Sequence, residues 1–505
     1  MMRATPLRKK KESIMRRKTT LIVTIFLAFS VNACKSQNAQ KTNITQKPNI
    51  VLINVDDLGW KDLGFMGSTY YETPNLDKLA TEGMIFTNAY AGAANCAPSR
   101  ACLISGLNTP RHGIYTVGSS DRGNPKTRKL IPIKNTDHLT NTVYTLPQML
   151  KSAGYITGSF GKWHVGNNPT EQGIDVNIGG SSKGNPGSKG YFSPYKIDNI
   201  IDGPKGEYLT DRLTNEAISF VKKYKDSTFF LYLPYYTVHS PIMGKESFIE
   251  KFKKKKGSNG QERPDYAAMI ASMDENIGRL LEVIKETGLE KNTIIIFTSD
   301  NGGIRAISHQ DPLRAGKGSY YEGGIRVPLI IKWPNHLQTN TRIAQPVSNI
   351  DFYPTIQTIA KPKRSAKLLD GIDLNTILSD QTLIERDLFF HFPIYLEAYK
   401  KEEDDSRDPL FRTRPGSVII SGDWKLHHYF EDEAFELYNL KTDLGETNNI
   451  AEKHPEKIKE LYKKLEDWRE KTNAPLPFEK NFNYDAVFEA KEKIITRKDI
   501  SKEVD

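Results

Sequence analysis

Cysteine is scarce in this chain: Cys34, Cys96 and Cys102 are the three among 505 residues, too few for a disulfide-stapled scaffold. Apolar runs are short as well, and the one at residues 21–31 is too brief to cross a bilayer as a helix. Charge of one sign accumulates only at the start, where residues 1–33 supply +7 of the formal +10. The remainder is nearly balanced, which argues against a nucleic-acid partner. There is no internal repeat. With 38% hydrophobic residues, the chain can bury a large core, and one big domain with a smaller one is expected rather than a string of modules.

The basic start has an order of its own. Arg16-Arg17-Lys18 precede the apolar run, and Val31-Asn32-Ala33-Cys34 follow it. This resembles a bacterial lipoprotein signal, which implies export through residues 1–33, handling by the lipoprotein-processing machinery and lipidation of Cys34. Met15 is then the more natural start. The alternative is an ordinary signal peptide cleaved nearby. Residues 34–48, rich in Lys, Gln, Asn and Thr, read as a flexible tether. The expected location is a bacterial membrane, facing the periplasm or the cell surface.

Beyond the tether, short apolar runs end in polar clusters. Residues 49–55 lead into Asp56-Asp57, 155–160 into Gly161-Lys162-Trp163-His164, 229–233 towards His239, and 293–298 into Asp300-Asn301-Gly302. Such runs suit buried strands of a parallel sheet, with ligands beyond their carboxyl ends. Apolar residues from Tyr266 to Ile284 recur at helical spacing between Pro264 and Gly288, predicting a core helix. After about residue 365 the pattern turns to short strand-like pieces at 417–420, 424–430 and 435–440, then a charged helix over 455–471. The expected fold is α/β: a large, mixed, mostly parallel sheet sandwiched by helices over residues 49–365, then a smaller α+β subdomain of antiparallel strands plus a helix over 366–505. The Gly/Ser-rich stretch 179–190 and the run Lys253-Lys254-Lys255-Lys256 read as surface.

Asp56, Asp57, Asp300 and Asn301 offer oxygen ligands only, which suits Ca²⁺ or Mg²⁺ better than zinc. An Asp-Asp pair alone is common at strand ends. Cys96-Ala97-Pro98-Ser99-Arg100 is more specific, because Pro98 suits a first helical turn and so places Cys96 at a helix N-terminus, where anions are favoured. Arg100, one turn on, faces the same anion.

With Cys96 to Gly106, Gly161 to His164, Val238-His239-Ser240-Pro241, Leu313 to Gly318 and Glu322 to Pro328, the chain resembles the type I sulfatases of the alkaline phosphatase superfamily. Ile104 and Ser105 are mild departures. Gly422 to Leu426 and Glu436 to Leu440 extend the resemblance to about residue 475. The resemblance implies that a separate maturase oxidises Cys96 to formylglycine. One hydroxyl of the hydrated aldehyde would attack sulfur and displace the alcohol, and the other would let the sulfate ester so formed collapse. It further implies Asp56, Asp57, residue 96, Asp300 and Asn301 as Ca²⁺ ligands, with Mg²⁺ the lesser choice. Arg100, Lys162 and Lys317 would neutralise the transferring group, His239, with Lys317, would protonate the leaving oxygen, and His164 would serve as the base. His112 and His309 are the better substrate-contact candidates beside Arg111, His391, His427 and His428. The substrate expected is a sulfated algal or animal glycan. A phosphate or phosphonate ester hydrolase on the same scaffold is one alternative, and a surface glycan-binding protein with an unconverted Cys96 is another. With Cys34 on an anchor and Cys96 converted, Cys102 has no partner, so no disulfide is expected.

Overall fold

The computed structural model describes residues 47–187, 189–400 and 403–500, with side chains described to residue 494. The signal segment and Cys34 lie outside the described residues. Among the described residues no helix is long and apolar enough to cross a membrane.

An eight-stranded sheet forms the centre. In chain order its strands are β1 (Asn49–Val55), β2 (Met84–Phe86), β3 (Ile156–Phe160), β4 (Val176–Ile178), β5 (Phe229–Leu233), β6 (Thr293–Ser299), β7 (Leu329–Lys332) and β8 (Thr341–Ile343). They are arranged β4-β3-β5-β1-β6-β7-β2-β8. Only β7 runs against the rest, giving the mixed, mostly parallel sheet that the sequence predicts. Every residue of β1, β5 and β6 is buried, because helices cover both faces and leave no place for polar alternation.

Register brings the site together. Val55 pairs with Ser299 at the ends of β1 and β6, so Asp56 and Asp300 leave the sheet side by side, and Asp300 N donates to Val55 O at 3.0 Å. After β5 the chain turns beneath β1, where Asp56 N donates to Thr237 O (3.0 Å) and Val238 N to Asp56 O (2.8 Å). After β3, Lys162 N donates to Pro234 O at 2.7 Å. Four clusters far apart in sequence thus share one edge of the sheet.

The core helix spans Pro264–Glu286, and its Met269 and Met273 are fully buried. It also caps a neighbour: Asp274 accepts from Asn75 N (3.1 Å) and Leu76 N (2.8 Å) at the start of the helix Pro74–Glu82, satisfying amides that no local side chain caps. The lysine run is surface as expected, with Lys255 paired to Glu72 and Lys253 to Glu250.

The C-terminal sheet has four antiparallel strands in sequence order: β9 (Asp387–Phe392), β10 (Gly416–Ser421), β11 (Trp424–Tyr429) and β12 (Ala434–Asn439). Residues 387–392 carry no expectation from the sequence, because Asp-Leu-Phe-Phe-His-Phe lacks clean alternation. One face packs Ile419, Leu426 and Leu437 against Leu461, Leu465 and Trp468 of the helix Pro455–Thr472. The other packs Phe390, Val418 and Ile420 against Tyr90, Tyr320 and Ile325.

Candidate active site

Asn95 is extended, with φ −133°, and Cys96 opens a helix that runs to Ser105 and ends at Gly106 in a left-handed cap. All ten helical residues are buried, so Cys96 and Arg100 are presented by the interior. Cys96 Sγ lies 3.4 Å from Asp56 Oδ1 and 3.8 Å from Asp57 Oδ1. Asp56, Asp57, Cys96 and Asp300 offer ligand atoms all within 4.8 Å of one another.

Three cations interleave with the three carboxylates. Lys162 Nζ donates to Asp56 Oδ2 at 2.6 Å, Lys317 Nζ to Asp57 Oδ2 at 2.7 Å, and Arg100 Nε to Asp300 Oδ2 at 2.8 Å. Arg100 Nη1 also holds Lys162 O at 2.8 Å. Arg100 Nη2 is buried without a hydrogen-bond partner, a donor free for an incoming anion.

Burial, countered by Lys162 but reinforced by Asp300 and Asp57, pushes the Asp56 carboxyl up to about 7. Burial disfavours charge on Asp57 as well, yet the neighbouring cations, Lys317 foremost and Lys162 with it, outweigh burial and hold that carboxyl well below the usual range. Burial also drives the Cys96 thiol far above its ordinary value, so the unmodified side chain is a protonated thiol and a poor nucleophile.

The donor set fits a hard divalent cation. Crowded buried carboxylates favour one. Asn301 adds a second sign: its Nδ2 donates to Asp57 Oδ1 (2.8 Å) and Gly302 O (2.9 Å), leaving a buried Oδ1 with no partner. Asp56, Asp57, Asp300, Asn301 and residue 96 could therefore hold Ca²⁺ together.

His239 Nδ1 lies 2.6 Å from Ser240 O, where it donates, and Nε2 is 3.7 Å from Asp57 Oδ2. Burial and then Lys317 lower it to about 3, so the imidazole is neutral here. His164 is buried, and its Nδ1 is unpartnered. Asp57 and His164 both adopt left-handed backbone, at φ 60° and 65°, a cost that non-glycine residues bear where the surroundings fix them at functional sites.

The stretch 179–190, expected to be surface, contributes here. His164 N donates to Ser181 O at 2.9 Å, and a Cβ on Gly184 would stand 2.3 Å from the His164 ring. Glycine is what lets this strap close over the imidazole. Likewise, a Cβ on Gly302 would meet Gly323 O at 1.9 Å, so backbone packs directly on backbone behind Asn301.

The other proposed contacts disperse. His112 turns into the core, with Nε2 3.4 Å from Cys102 Sγ and Nδ1 accepting from Ile114 N at 3.1 Å; this is the packing place of the free Cys102. Arg111 pairs with Asp370. His309 is half-buried on the loop between Asn301 and Lys317, 3.6 Å from Asp311. His391 is buried between Ser417 Oγ and Pro475 O. His427 faces Glu446, and His428 faces Glu433 and Arg469. Their strand positions, invisible before β9–β11 were paired, turn these three inward.

Sequence reasoning gave no role to Lys425. It is fully buried, 2.9 Å from both Glu322 Oε1 and Glu446 Oε1. Its signal was its place in the motif Gly422 to Leu426.

The sulfatase family model matches residues 48–361, and the model of the N-sulphoglucosamine sulphohydrolase C-terminal region matches residues 316–471. A sulfatase of Formosa agariphila is 34% identical, covering 91% of this chain and 95% of its own. The mouse N-acetylgalactosamine-6-sulfatase is 30% identical, covering 81% and 79%. The solved structure of Ps i-CgsB in complex with k-i-k-neocarrahexaose superposes with a TM-score of 0.69 at 28% identity, over 90% of this chain and 98% of that one. With the Cys96 helix set among the strand-end carboxylates, these matches establish that the chain belongs to the sulfatase family and is a sulfuric ester hydrolase.

Proposed function

We propose that this sulfatase removes sulfate from a sulfated polysaccharide or oligosaccharide, with residue 96 as formylglycine and Ca²⁺ at the carboxylate cluster. The observation that carries the reading is the convergence of Cys96, three carboxylates, Asn301 and three cations in one buried centre. The substrate class is supported by what relatives act on or bind: N-acetylgalactosamine 6-sulfate for the mouse enzyme by its name, and a neocarrahexaose in the Ps i-CgsB complex. When bound, Ca²⁺ would polarise sulfate oxygens and lower the pKa of the attacking hydroxyl.

The chain's own residues do the rest. Arg100, with its spare Nη2, and Lys162 and Lys317 meet the negative charge of the sulfate and hold it against residue 96. Lys317, kept protonated by Asp57, sits where a leaving oxygen needs a proton. Against the acid role expected of it, His239 is neutral with its proton on Nδ1, and the Nε2 that faces the site can accept a hydrogen bond but has no proton to give. His164, kept neutral by burial and the surrounding cations, can accept one. Sulfate release from defined sulfated oligosaccharides by matured protein tests the reading. Release of phosphate but of no sulfate would overturn it.

Metal dependence gives a sharper check. Removing Ca²⁺ with chelator should abolish turnover, and Ca²⁺ should restore it better than Mg²⁺. Asn301→Ala should weaken Ca²⁺ binding by at least about 10–100-fold, the loss that follows when even a residue orienting a ligand is removed, measured by titration calorimetry. Unchanged affinity would remove Asn301 from the ligand set.

The signal that ends at Cys34 supports a lipid-anchored enzyme on a bacterial membrane, where a glycan too large to enter the cell would be met. Metabolic labelling with a fatty acid should mark the wild type and spare Cys34→Ala. Equal labelling of the two would refute the anchor.

A further inference from the structure

The rim beside the reaction centre leads to a second polar pocket. Asn95, the residue before Cys96, sets its amide 3.5 Å from Thr116 Oγ1. Asn135 fastens the stretch that follows: its Oδ1 accepts from Tyr115 N (2.8 Å) and Thr116 N (3.2 Å), and its Nδ2 donates to Gly118 O (2.8 Å). On the other side, Lys317 O accepts from Arg412 Nη1 at 3.1 Å, and Arg412 Nε donates to Glu397 O at 2.9 Å. The Glu397 carboxylate takes two bonds from Arg122 Nε, both 3.0 Å, and Tyr395 N donates to Ser120 O at 2.8 Å. Residues 116–122 are thus tied to the centre through Asn95, the residue before Cys96, and through Arg412 to the Lys317 carbonyl.

Beyond this strip opens a pocket of about 390 Å³, lined among others by Ser119, Ser120, Asp121, Arg128, Lys134 and Asn483. Arg128 is only 8% exposed, yet its Nε is buried with no hydrogen-bond partner. Its Nη1 reaches Arg122 O at a long 3.4 Å and stands 3.7 Å from Asp121 Oδ2. Asp121 is more than half exposed and also takes a bond from Ser119 Oγ, so it satisfies the guanidinium poorly. Lys134 is exposed on the same lining. Two cations on one lining, a largely buried guanidinium that Asp121 pairs only at 3.7 Å and an exposed lysine, suit a tetrahedral anion.

We propose that this pocket is a subsite for a second sulfate, carried on a sugar flanking the one that loses its ester. The inference rests on the glycan-sulfatase reading and deepens it: the substrate would be a chain sulfated on neighbouring sugars rather than a single sulfated sugar.

The test uses two oligosaccharides that share the scissile sulfate, one with and one without the flanking sulfate, and an aryl sulfate as reference. Matured wild type should favour the doubly sulfated substrate by about tenfold in kcat/KM, expressed in KM. Arg128→Gln and Lys134→Gln should each shrink that ratio several-fold. Calorimetry of the doubly sulfated chain on the Cys96→Ala protein should show the same preference without turnover. Lys134 is exposed, so its variant serves even if Arg128→Gln folds poorly. A wild type that ignores the flanking sulfate overturns the subsite and leaves the glycan reading intact. So does a Lys134→Gln protein that melts like wild type and keeps the full ratio. Hydrolysis of the aryl sulfate with neither oligosaccharide touched would overturn the glycan reading and the subsite together.

Discussion

Cys96→Ala should reduce sulfate ester hydrolysis by about 10⁵-fold or more, the scale seen when the nucleophile of a covalent hydrolase is removed, while the protein stays folded. Activity falls because residue 96 is the one group presented to Asp56 and Asp57 from the helix start. The fold survives because only a sulfur atom is lost, and its contacts are long; loss of so small a buried group costs about 1–2 kcal/mol. A companion sample separates the aldehyde from the thiol. Protein made without the maturase keeps Cys96 as a buried thiol pushed well above its ordinary pKa, and it should be as inactive as the alanine variant. Peptide mass spectrometry on the active preparation should show residue 96 as the aldehyde. Full turnover by the unconverted protein would sink the formylglycine reading and reopen thiol chemistry.

Much of this centre was legible in the sequence, because chemistry confined to strand ends leaves compact signatures. Apolar runs stopping at Asp56-Asp57 and at Asp300-Asn301 point to a shared crevice, and Pro98 behind Cys96 points to a helix start. What the sequence could not carry is register. The pairing of Val55 with Ser299 is what turns two separate carboxylate clusters into one, and nothing local to either strand encodes it. Side-chain direction was lost for the same reason. His391, His427 and His428 read as crevice residues because their segments flank the strand ends, where a sulfated sugar would need hydrogen-bond donors, yet strand pairing buries each against a partner of its own. His112 fails differently: its neighbour Cys102 lies six residues beyond Cys96, about 1.7 turns along and about a third of the way round the catalytic helix. The strap at 179–190 looked like solvent-exposed loop because glycine and serine say only that the backbone is unconstrained. That His164 lies beneath Gly184 depends on a contact twenty residues away.

Lys425→Met should be the most damaging change outside the catalytic centre. Strand β11 brings Lys425 Nζ between Glu322 and Glu446, at 2.9 Å from each. Glu322 is shared with Arg326 Nη1 (2.9 Å) and Tyr90 OH (3.0 Å), and Glu446 with His427 Nε2 (3.1 Å). Glu322 opens the turn that packs on Gly302, so the network joins the C-terminal sheet to the backbone behind Asn301. Without the ammonium, Glu446 loses its counter-charge and faces a Glu322 held only by Arg326, which costs about 3–5 kcal/mol, or about 3–5 °C in Tm for a chain this long. The sign of the pH dependence follows from the acids. Burial already pushes Glu446 up to about 7, with Lys425 as the main counterweight, whereas an unfolded Glu titrates near ~4.3. With Lys425 gone the folded value rises further. The folded variant then binds more protons than the unfolded chain from about pH 4.3 upward through 7, so its stability falls as pH rises through that window. Wild-type Glu446 also holds its proton up to about 7, so the Tm deficit should level off on the acid side and widen as pH rises above about 7, where wild type gives up that proton and the variant keeps it. Adding Glu446→Gln to Lys425→Met should recover part of the loss, because the two sites act as one. A deficit that stays constant from pH 5 to 8, unrelieved in the double variant, would mean that the lysine's aliphatic packing, not its charge, holds the two parts together.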